Sequence, residues 1–273
     1  MTARLEEKTT RRICIIQSAY VPWRGFFDLI GRCDEYVILD SAQFVKGHWQ
    51  NRNRVCGPKG PAWLTIPVVT AGQLGQAIED VMVSDAGWAG KHWSKLETCY
   101  AGSPFFADLC GKIRPLYEAA GQCRRLTDIN EIFLRGLADL LGIRTAIVRD
   151  HDYSPRGKRT ERVADICLKA GATHYLTGPS ARAYFDVPLF AETGVALEWM
   201  TYPEYPAYQQ AGNGYDPALS ILDLLFSVGP QCSAMWRGEN PSRLQGADCT
   251  IRVSRSDSDG PAAPPAGRFK ERT

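Results

Sequence analysis

One carboxylate (Asp40), four amides (Gln43, Gln50, Asn51, Asn53), three cations (Lys46, Arg52, Arg54) and an imidazole (His48) crowd into residues 40–54. Amphipathic helices do not read this way. Amides recognise the edges of a base or of an amide-bearing substrate, while Arg and Lys bind phosphate or carboxylate. The competing reading is a solvated loop or hairpin whose side chains bond to nearby backbone. Gln43, Asn51 and Asn53 would be costly to bury without partners.

Further candidates are scattered. Trp88-x-x-Lys91-His92 sits in a helical pattern, where His92 shares a face with Trp88 and Tyr100. It is therefore either a base or ligand-binding group or a satisfied structural histidine. Lys158-Arg159-Thr160-x-Arg162 opens a helix, where cations and free amides suit an anion. Ordinary surface charge explains it equally well. Gly178 and Ser180 lie in a Thr-Gly-Pro-Ser loop after a short strand, where small residues let backbone amides approach a ligand. Four histidines without metal-ligand spacing give no metal site. Asp150-x-Asp152 can hold Mg²⁺, although two acids in a loop are commonly just solvated.

The elements that must position these groups are legible in outline. Ile13-Cys14-Ile15-Ile16 and Tyr36-Val37-Ile38-Leu39 are apolar runs suited to buried parallel strands, with a Pro/Gly loop and a helix between them. That is one βαβ unit. Gln17 and Asp40 each follow a strand directly, and in open parallel sheets ligands bind at the carboxyl ends of strands. Residues 63–68 read as a further strand. Residues 86–142 form a helical region: Trp88, His92, Leu96 and Tyr100 recur at helical spacing, and Phe105, Leu109, Ile113 and Leu116 repeat the pattern. A third helix spans 128–141, with Thr127 as N-cap and Gly142 as its stop. Strands at 145–148, 173–178 and 195–200, a helix at 160–170 capped by Thr160 and ended by Gly171, and a helix at 220–228 complete the pattern. The expectation is α/β: a Rossmann-like, mostly parallel sheet with a helical insertion, in one domain over residues 12–230. Residues 1–11 read as a disordered lead. Residues 231–273 read as a mostly disordered tail, rich in Ser, Asp, Pro and Arg toward its end.

Composition excludes several classes. The chain has 273 residues, of which 44% are hydrophobic and 23% charged, with a net charge of +2. This is ordinary for a globular protein and gives no reason to expect nucleic acid or a membrane surface as partner. No apolar run approaches the ~20 residues of a membrane span, and the polar start lacks the apolar core of a signal peptide. The expected location is cytoplasmic. Nine cysteines, none in a Cys-x-x-Cys pair, read as small hydrophobes in a reducing compartment.

Gln17-x-x-Tyr20-x-Pro22-Trp23-x-Gly25-x-Phe27-Asp28, Trp49-Gln50-Asn51-Arg52-Asn53, Trp88-x-x-Lys91-His92, Tyr175-Leu176-Thr177-Gly178-Pro179-Ser180-Ala181-x-x-Tyr184 and Leu219-Ser220-Ile221-Leu222-Asp223-Leu224-Leu225-Phe226 occur in that order. With them the chain resembles the WbqC-like family from about residue 13 to 229. It departs at Ser18-Ala19, where Pro-Asn is usual, and at Ser227, where Asn is usual. The resemblance implies small-molecule tailoring in surface-polysaccharide or natural-product pathways. The first βαβ unit is also similar to the pantothenate synthetase branch of the nucleotidylyltransferase-like fold. The His-x-Gly-His motif of those enzymes is absent, and Arg24-Gly25-Phe26-Phe27-Asp28 stands in its place.

Together these readings give three expectations. The first is a transferase that joins an acyl group to an amine on a small substrate such as an amino sugar. Asp40 or His92 would be the base, and Gln17, Asn51 and Asn53 would orient the substrate, with Tyr20, Trp23, Gln43 and Lys91 around it. Lys46, Arg52, Lys158 and Arg162 would neutralise phosphate or carboxylate, and amides of the Gly178–Ser180 loop would serve the oxyanion. No cofactor is fixed by these residues: ATP and acyl-CoA are both open, and no metal site is evident. The second is Cys-dependent acyl transfer through Cys56, beside Arg54. The third is a non-catalytic subunit that binds a nucleotide sugar or other metabolite and assists a partner enzyme of its pathway.

Overall fold

The computed structural model describes residues 10–57, 60–212, 214–231 and 233–237. In chain order the first elements are β1 (Arg12–Ile16), α1 (Arg24–Ile30), β2 (Glu35–Ile38), β3 (Arg52–Gly57) and β4 (Gly60–Thr65). Three helices follow: α2 (Trp88–Tyr100), α3 (Phe106–Ala120) and α4 (Leu126–Leu140). Then come β5 (Ala146–Arg149), α5 (Arg159–Lys169), β6 (His174–Thr177), α6 (Val187–Ala191), β7 (Ala196–Trp199), α7 (Ile221–Val228) and α8 (Ala234–Arg237). The chain forms two compact units. One comprises the described residues within Met1–Ile16, Leu29–Leu39 and Thr145–Thr201, the other those within Gln17–Asp28, Asp40–Arg144 and Tyr202–Thr273.

The first unit carries a five-stranded sheet in the order β5-β2-β1-β6-β7, with every neighbouring pair parallel. The fold is α/β with a mostly parallel sheet, as the apolar runs implied. β1 and β2 lack polar alternation because both of their faces are covered. Ile13, Ile15 and Val37 pack on one face against Val163, Ile166 and Cys167 of α5 and Phe190 of α6. Charges gather at the margins. Glu198 of β7 accepts from Nε and Nη2 of Arg12 at 2.7 and 3.2 Å, and Glu35 accepts from Arg11 at 2.9 Å. α5 stops at Gly171, which adopts the left-handed conformation (φ 64°) while Ala172 N donates to Cys167 O. Thr160 is not the cap of this helix. α5 opens at Arg159, and Thr160 is buried in its first turn, where its Oγ1 accepts from Asp186 N at 3.0 Å.

The second unit holds the helical region and a β-hairpin. β3 and β4 pair antiparallel, Arg52 opposite Thr65 and Gly57 opposite Gly60. The strand expected at 63–68 therefore begins earlier, at Gly60, and the polar run at 52–57 is itself a strand. Trp88, His92, Leu96 and Tyr100 of α2 are buried at the expected spacing. On α3 the buried positions are Leu109, Ile113, Tyr117 and Ala120, and Pro115 sits on the exposed side. α3 approaches α4 closely at Gly136, where a β-carbon would lie 2.4 Å from the Leu116 side chain. α4 ends at Gly142 as expected, with φ 67° and Ile143 N donating to Ala138 O. Its N-cap is Arg125; Thr127 lies inside the helix and is spent elsewhere. α8 falls within the segment read as a tail, and its Trp236 is buried. The rest of that segment from 238, and the lead through residue 9, lie outside the described residues. Among the described residues no helix is long and apolar enough to cross a membrane.

Phe133 is fully buried, with its ring 4.7 Å from Tyr117 and 5.4 Å from Tyr20. Phe133→Ala is expected to cost about 3–5 kcal/mol, read as a lower urea midpoint with an unchanged slope.

Candidate functional site

Gln17-Ser18 and Asp40 are the residues that follow β1 and β2. A connected polar network grows from them in the second unit. Asp40 is 3% exposed. Its Oδ1 accepts from Ser18 N at 2.9 Å, and its Oδ2 accepts from Thr127 Oγ1 at 2.6 Å. Ser18 Oγ accepts from Asn130 Nδ2 at 2.8 Å, and the same amide donates to Gln50 O at 2.9 Å. Gln50 Nε2 donates to Gln17 Oε1 at 2.7 Å. A buried polar network of this kind is stable only when its members are paired, and here the pairing is incomplete. The oxygens Asn51 Oδ1 and Asn130 Oδ1 are buried without a partner among the described residues. Asn51 Nδ2 is spent on Ile66 O at 2.9 Å. Asn53 is spent on the backbone throughout: its Nδ2 donates to Tyr20 O and Val21 O, and its Oδ1 accepts from Arg54 N.

His92 lies in a second buried cluster. Its Nδ1 is 2.8 Å from the Tyr20 hydroxyl, its Nε2 is 3.1 Å from Thr65 O, and the Tyr20 and Tyr117 hydroxyls are 3.0 Å apart. A carbonyl can only accept, so Nε2 carries the proton and Nδ1 accepts from Tyr20. Both ring nitrogens are thus engaged. Burial is the main force that lowers the imidazole from its usual pKa to about 4; the Thr65 carbonyl opposes this and Lys95 adds to it. The ring is neutral at physiological pH.

The other expected site residues divide between the units. Lys158, Arg162, Gly178 and Ser180 belong to the first unit. There Arg162 Nε donates to Gly157 O, Lys158 is exposed, and Gly178 precedes a short 3₁₀ turn that contains the exposed Ser180. In the second unit, Lys91 pairs with Asp85 at 2.6 Å on the surface, and Gln43 and Lys46 are exposed. Arg52 lies over the Trp63 ring, 4.3 Å from its centroid. Trp23 packs on Tyr202 at 5.1 Å and folds back over Gly25, where a β-carbon would meet its ring at 2.4 Å. The spacing Trp23-x-Gly25 therefore records a close approach.

Arg24 is buried, and its guanidinium is spent on Pro206 O, Met235 O and the Tyr215 hydroxyl. Cys56 is buried, with its Sγ accepting from Gly212 N at 3.0 Å. Desolvation chiefly, with help from Asp223, raises its thiol above the ordinary value. That is the opposite of thiolate activation. The seven described cysteines are free; Cys232 and Cys249 lie outside the described residues.

Sequence reasoning missed Ser18, Thr127, Asn130 and Asp223. Asp223 is fully buried in α7 and accepts from the hydroxyls of Tyr100 and Tyr208, each at 2.8 Å. Burial raises its carboxyl, while these bonds act in the opposite direction. The available signal was a polar residue on an apolar stripe. Asn130 shares its helix face with Leu126, Phe133, Leu134 and Leu137, and Asp223 interrupts Leu222 and Leu224.

The depressed His92 value has a consequence for stability. Unfolded, the ring binds a proton near pH 6.5; folded, it does so only near 4. The unfolded state therefore binds more protons between these values, and stability falls as pH drops from about 6.5 toward 4, by about 3 kcal/mol for this group. Urea titrations across that range should show a weaker pH dependence in His92→Gln than in the parent.

Comparison with known proteins agrees with the motifs. The family model described as the WbqC-like protein family matches residues 17–234. The chain is 39% identical over 221 residues to the uncharacterized protein Rv1507c of Mycobacterium tuberculosis, covering 81% of this chain and 95% of that protein. No solved structure matches. On a family match that spans both the Gln17–Asp40 network and the His92 cluster, the chain belongs to the WbqC-like protein family.

Proposed function

We propose that this chain forms amides in small-molecule biosynthesis, transferring an activated acyl group to a substrate amine by positioning the two rather than by acid–base catalysis. The observation that carries this reading is the pair of buried acceptors without a donor, Asn51 Oδ1 and Asn130 Oδ1, beside the Gln17–Gln50–Asp40 network. A buried acceptor left unpaired costs about 1–3 kcal/mol. A ligand that brings N–H donors recovers it, and an amine is such a ligand. Gln17 is half-buried, and its Nε2, which has no partner among the described residues, would donate to an acyl oxygen.

The chemistry needs little more. The amine nitrogen attacks the acyl carbon of a thioester, the C–N bond forms, and the C–S bond breaks. The thiolate then takes up the proton released by nitrogen. Holding the reactants in line supplies the acceleration. Asp40 in this reading is a structural anchor, since both of its oxygens hold donors. His92 supports Tyr20, since neither of its nitrogens is open. Lys46 and Arg52 remain as cations for an anionic part of the substrate. Attack by Cys56 is disfavoured by its raised thiol.

Purified chain incubated with acyl-CoA and amino-sugar nucleotides should yield an amide by mass spectrometry. The rate should rise with pH along the substrate amine's own deprotonation, without a break from an enzyme group between 5 and 7. Gln17→Ala should lower kcat/KM about tenfold while the fold is kept. Substrate binding without product, with turnover restored only by a partner enzyme, would replace this reading with an accessory role.

Cys56→Ser should retain turnover. Its loss in a folded protein would revive the covalent route.

A further inference from the structure

The hairpin carries a surface that the amide network does not use. Trp63 of β4 is 41% exposed, although it is among the largest apolar side chains of the protein. Its ring stacks on Trp49, with centroids 5.8 Å apart and planes within 25°. Two indoles aligned at the surface are an unusual use of apolar area, since such rings are ordinarily buried.

Arg52 completes the arrangement. Its Cζ lies 4.3 Å from the Trp63 centroid, a cation–π contact. Its Nε is buried without a hydrogen-bond partner, and among the described residues no carboxylate pairs with the guanidinium. The neighbouring cations differ. Arg54 is paired with Asp216 at 3.1 Å, and Lys95 donates to Trp63 O at 2.9 Å. Gly47 brings the preceding loop against the guanidinium: a β-carbon there would lie 3.6–3.8 Å from Nη2, Cζ and Nη1 of Arg52, and φ is 77°. Exposed Lys46 immediately precedes Gly47 in that loop. His48 adds no competing charge, because burial first and then Arg52 lower its pKa. The surface therefore offers two stacked rings, a guanidinium that no described carboxylate pairs with and an exposed lysine next to Gly47, while the neighbouring acid Asp216 is held by Arg54.

We infer that this surface is a nucleoside-phosphate site, in which the base stacks on the Trp49–Trp63 pair and the phosphate is bound by Arg52 and Lys46. Ring stacking is tolerant of base identity, and the guanidinium fork matches phosphate oxygens. Neither half suffices alone: an uncharged ring leaves Arg52 unpaired, and a bare phosphate leaves the indoles in water.

The test is titration of the full chain with AMP, adenosine and ribose 5-phosphate, followed by tryptophan fluorescence and calorimetry. AMP should bind about tenfold or more tightly than either fragment. Trp63→Ala should weaken AMP about tenfold but leave ribose 5-phosphate nearly unchanged. Arg52→Gln should reduce AMP to the level of adenosine, and Arg52→Lys should fall between. Unchanged urea midpoints confirm that the variants fold. The inference is overturned if AMP does not bind at millimolar concentration, if ribose 5-phosphate binds as well as AMP, or if an oligoadenylate binds a hundredfold more tightly than AMP. That last result would assign the surface to nucleic acid. Trp63→Ala removes no group assigned to acyl transfer, so loss of AMP binding in that variant with amide formation intact, or the reverse, separates this inference from the acyl-transfer reading.

Discussion

The second unit is organised around the carboxylate of Asp40. A buried charge is tolerated only where hydrogen bonds replace water, and Asp40 obtains them from Ser18 N and Thr127 Oγ1. These donors come from the residue after Gln17 and from the first turn of α4, which are distant in sequence. The acid thus fixes where α4 begins relative to the segment that follows β1. Asn130, one turn further along α4, then reaches Ser18 Oγ and Gln50 O. A one-residue slip in α4 would turn both Thr127 and Asn130 away and leave several polar groups buried and unpaired.

The aromatic cluster beside this network serves as its rigid support. Tyr20 touches Trp88, His92 and Phe133 through its ring and joins His92 and Tyr117 through its hydroxyl. Its main-chain oxygen accepts from Asn53, and its nitrogen donates to Trp49 O. One residue therefore links the loop after Gln17 to the hairpin and to α2. The neutral state of His92 follows from its burial, which also suppresses ionisation of the Tyr20 hydroxyl beside it. Arg24 does comparable work for the later part of the chain. It gathers the carbonyls of Pro206 and Met235 and so holds the segment leading to α8.

Much of the fold was legible because apolar spacing is a local property. The runs at 13–16 and 36–39 and the repeats on α2 and α3 each appear in a short window, and they form the expected elements. The hairpin was less visible. Arg52, Asn53 and Arg54 break the alternation that marks a strand, since Asn53 is buried although polar and its amide is consumed by Tyr20 O and Val21 O. Helix caps were misplaced for a related reason. Thr127 and Thr160 have the right chemistry for N-caps, but each bonds to a group far along the chain, Asp40 and Asp186. No local rule reveals such a bond. The roles of Ser18, Asn130 and Asp223 were hidden in the same way, because their partners are brought near only by the fold, although the last two stood out as polar residues on apolar stripes.

Density of polar residues and chemical availability are therefore different quantities in this chain. Within residues 40–54, Asp40, Gln50 and Asn53 are committed to holding backbone and side chains in place, and Asn51 is half committed. Among the described residues, the groups left without a hydrogen-bond partner include the Asn51 and Asn130 oxygens, the Gln17 amide nitrogen and, on the hairpin, Arg52 Nε. The first two groups call for a donor and an acceptor on the same ligand, the third for an anion next to a ring. In the acyl-transfer reading an amine meets the first demand, and in the hairpin inference a nucleoside phosphate meets the second. Folding, rather than local sequence, decides which polar groups stay unpaired.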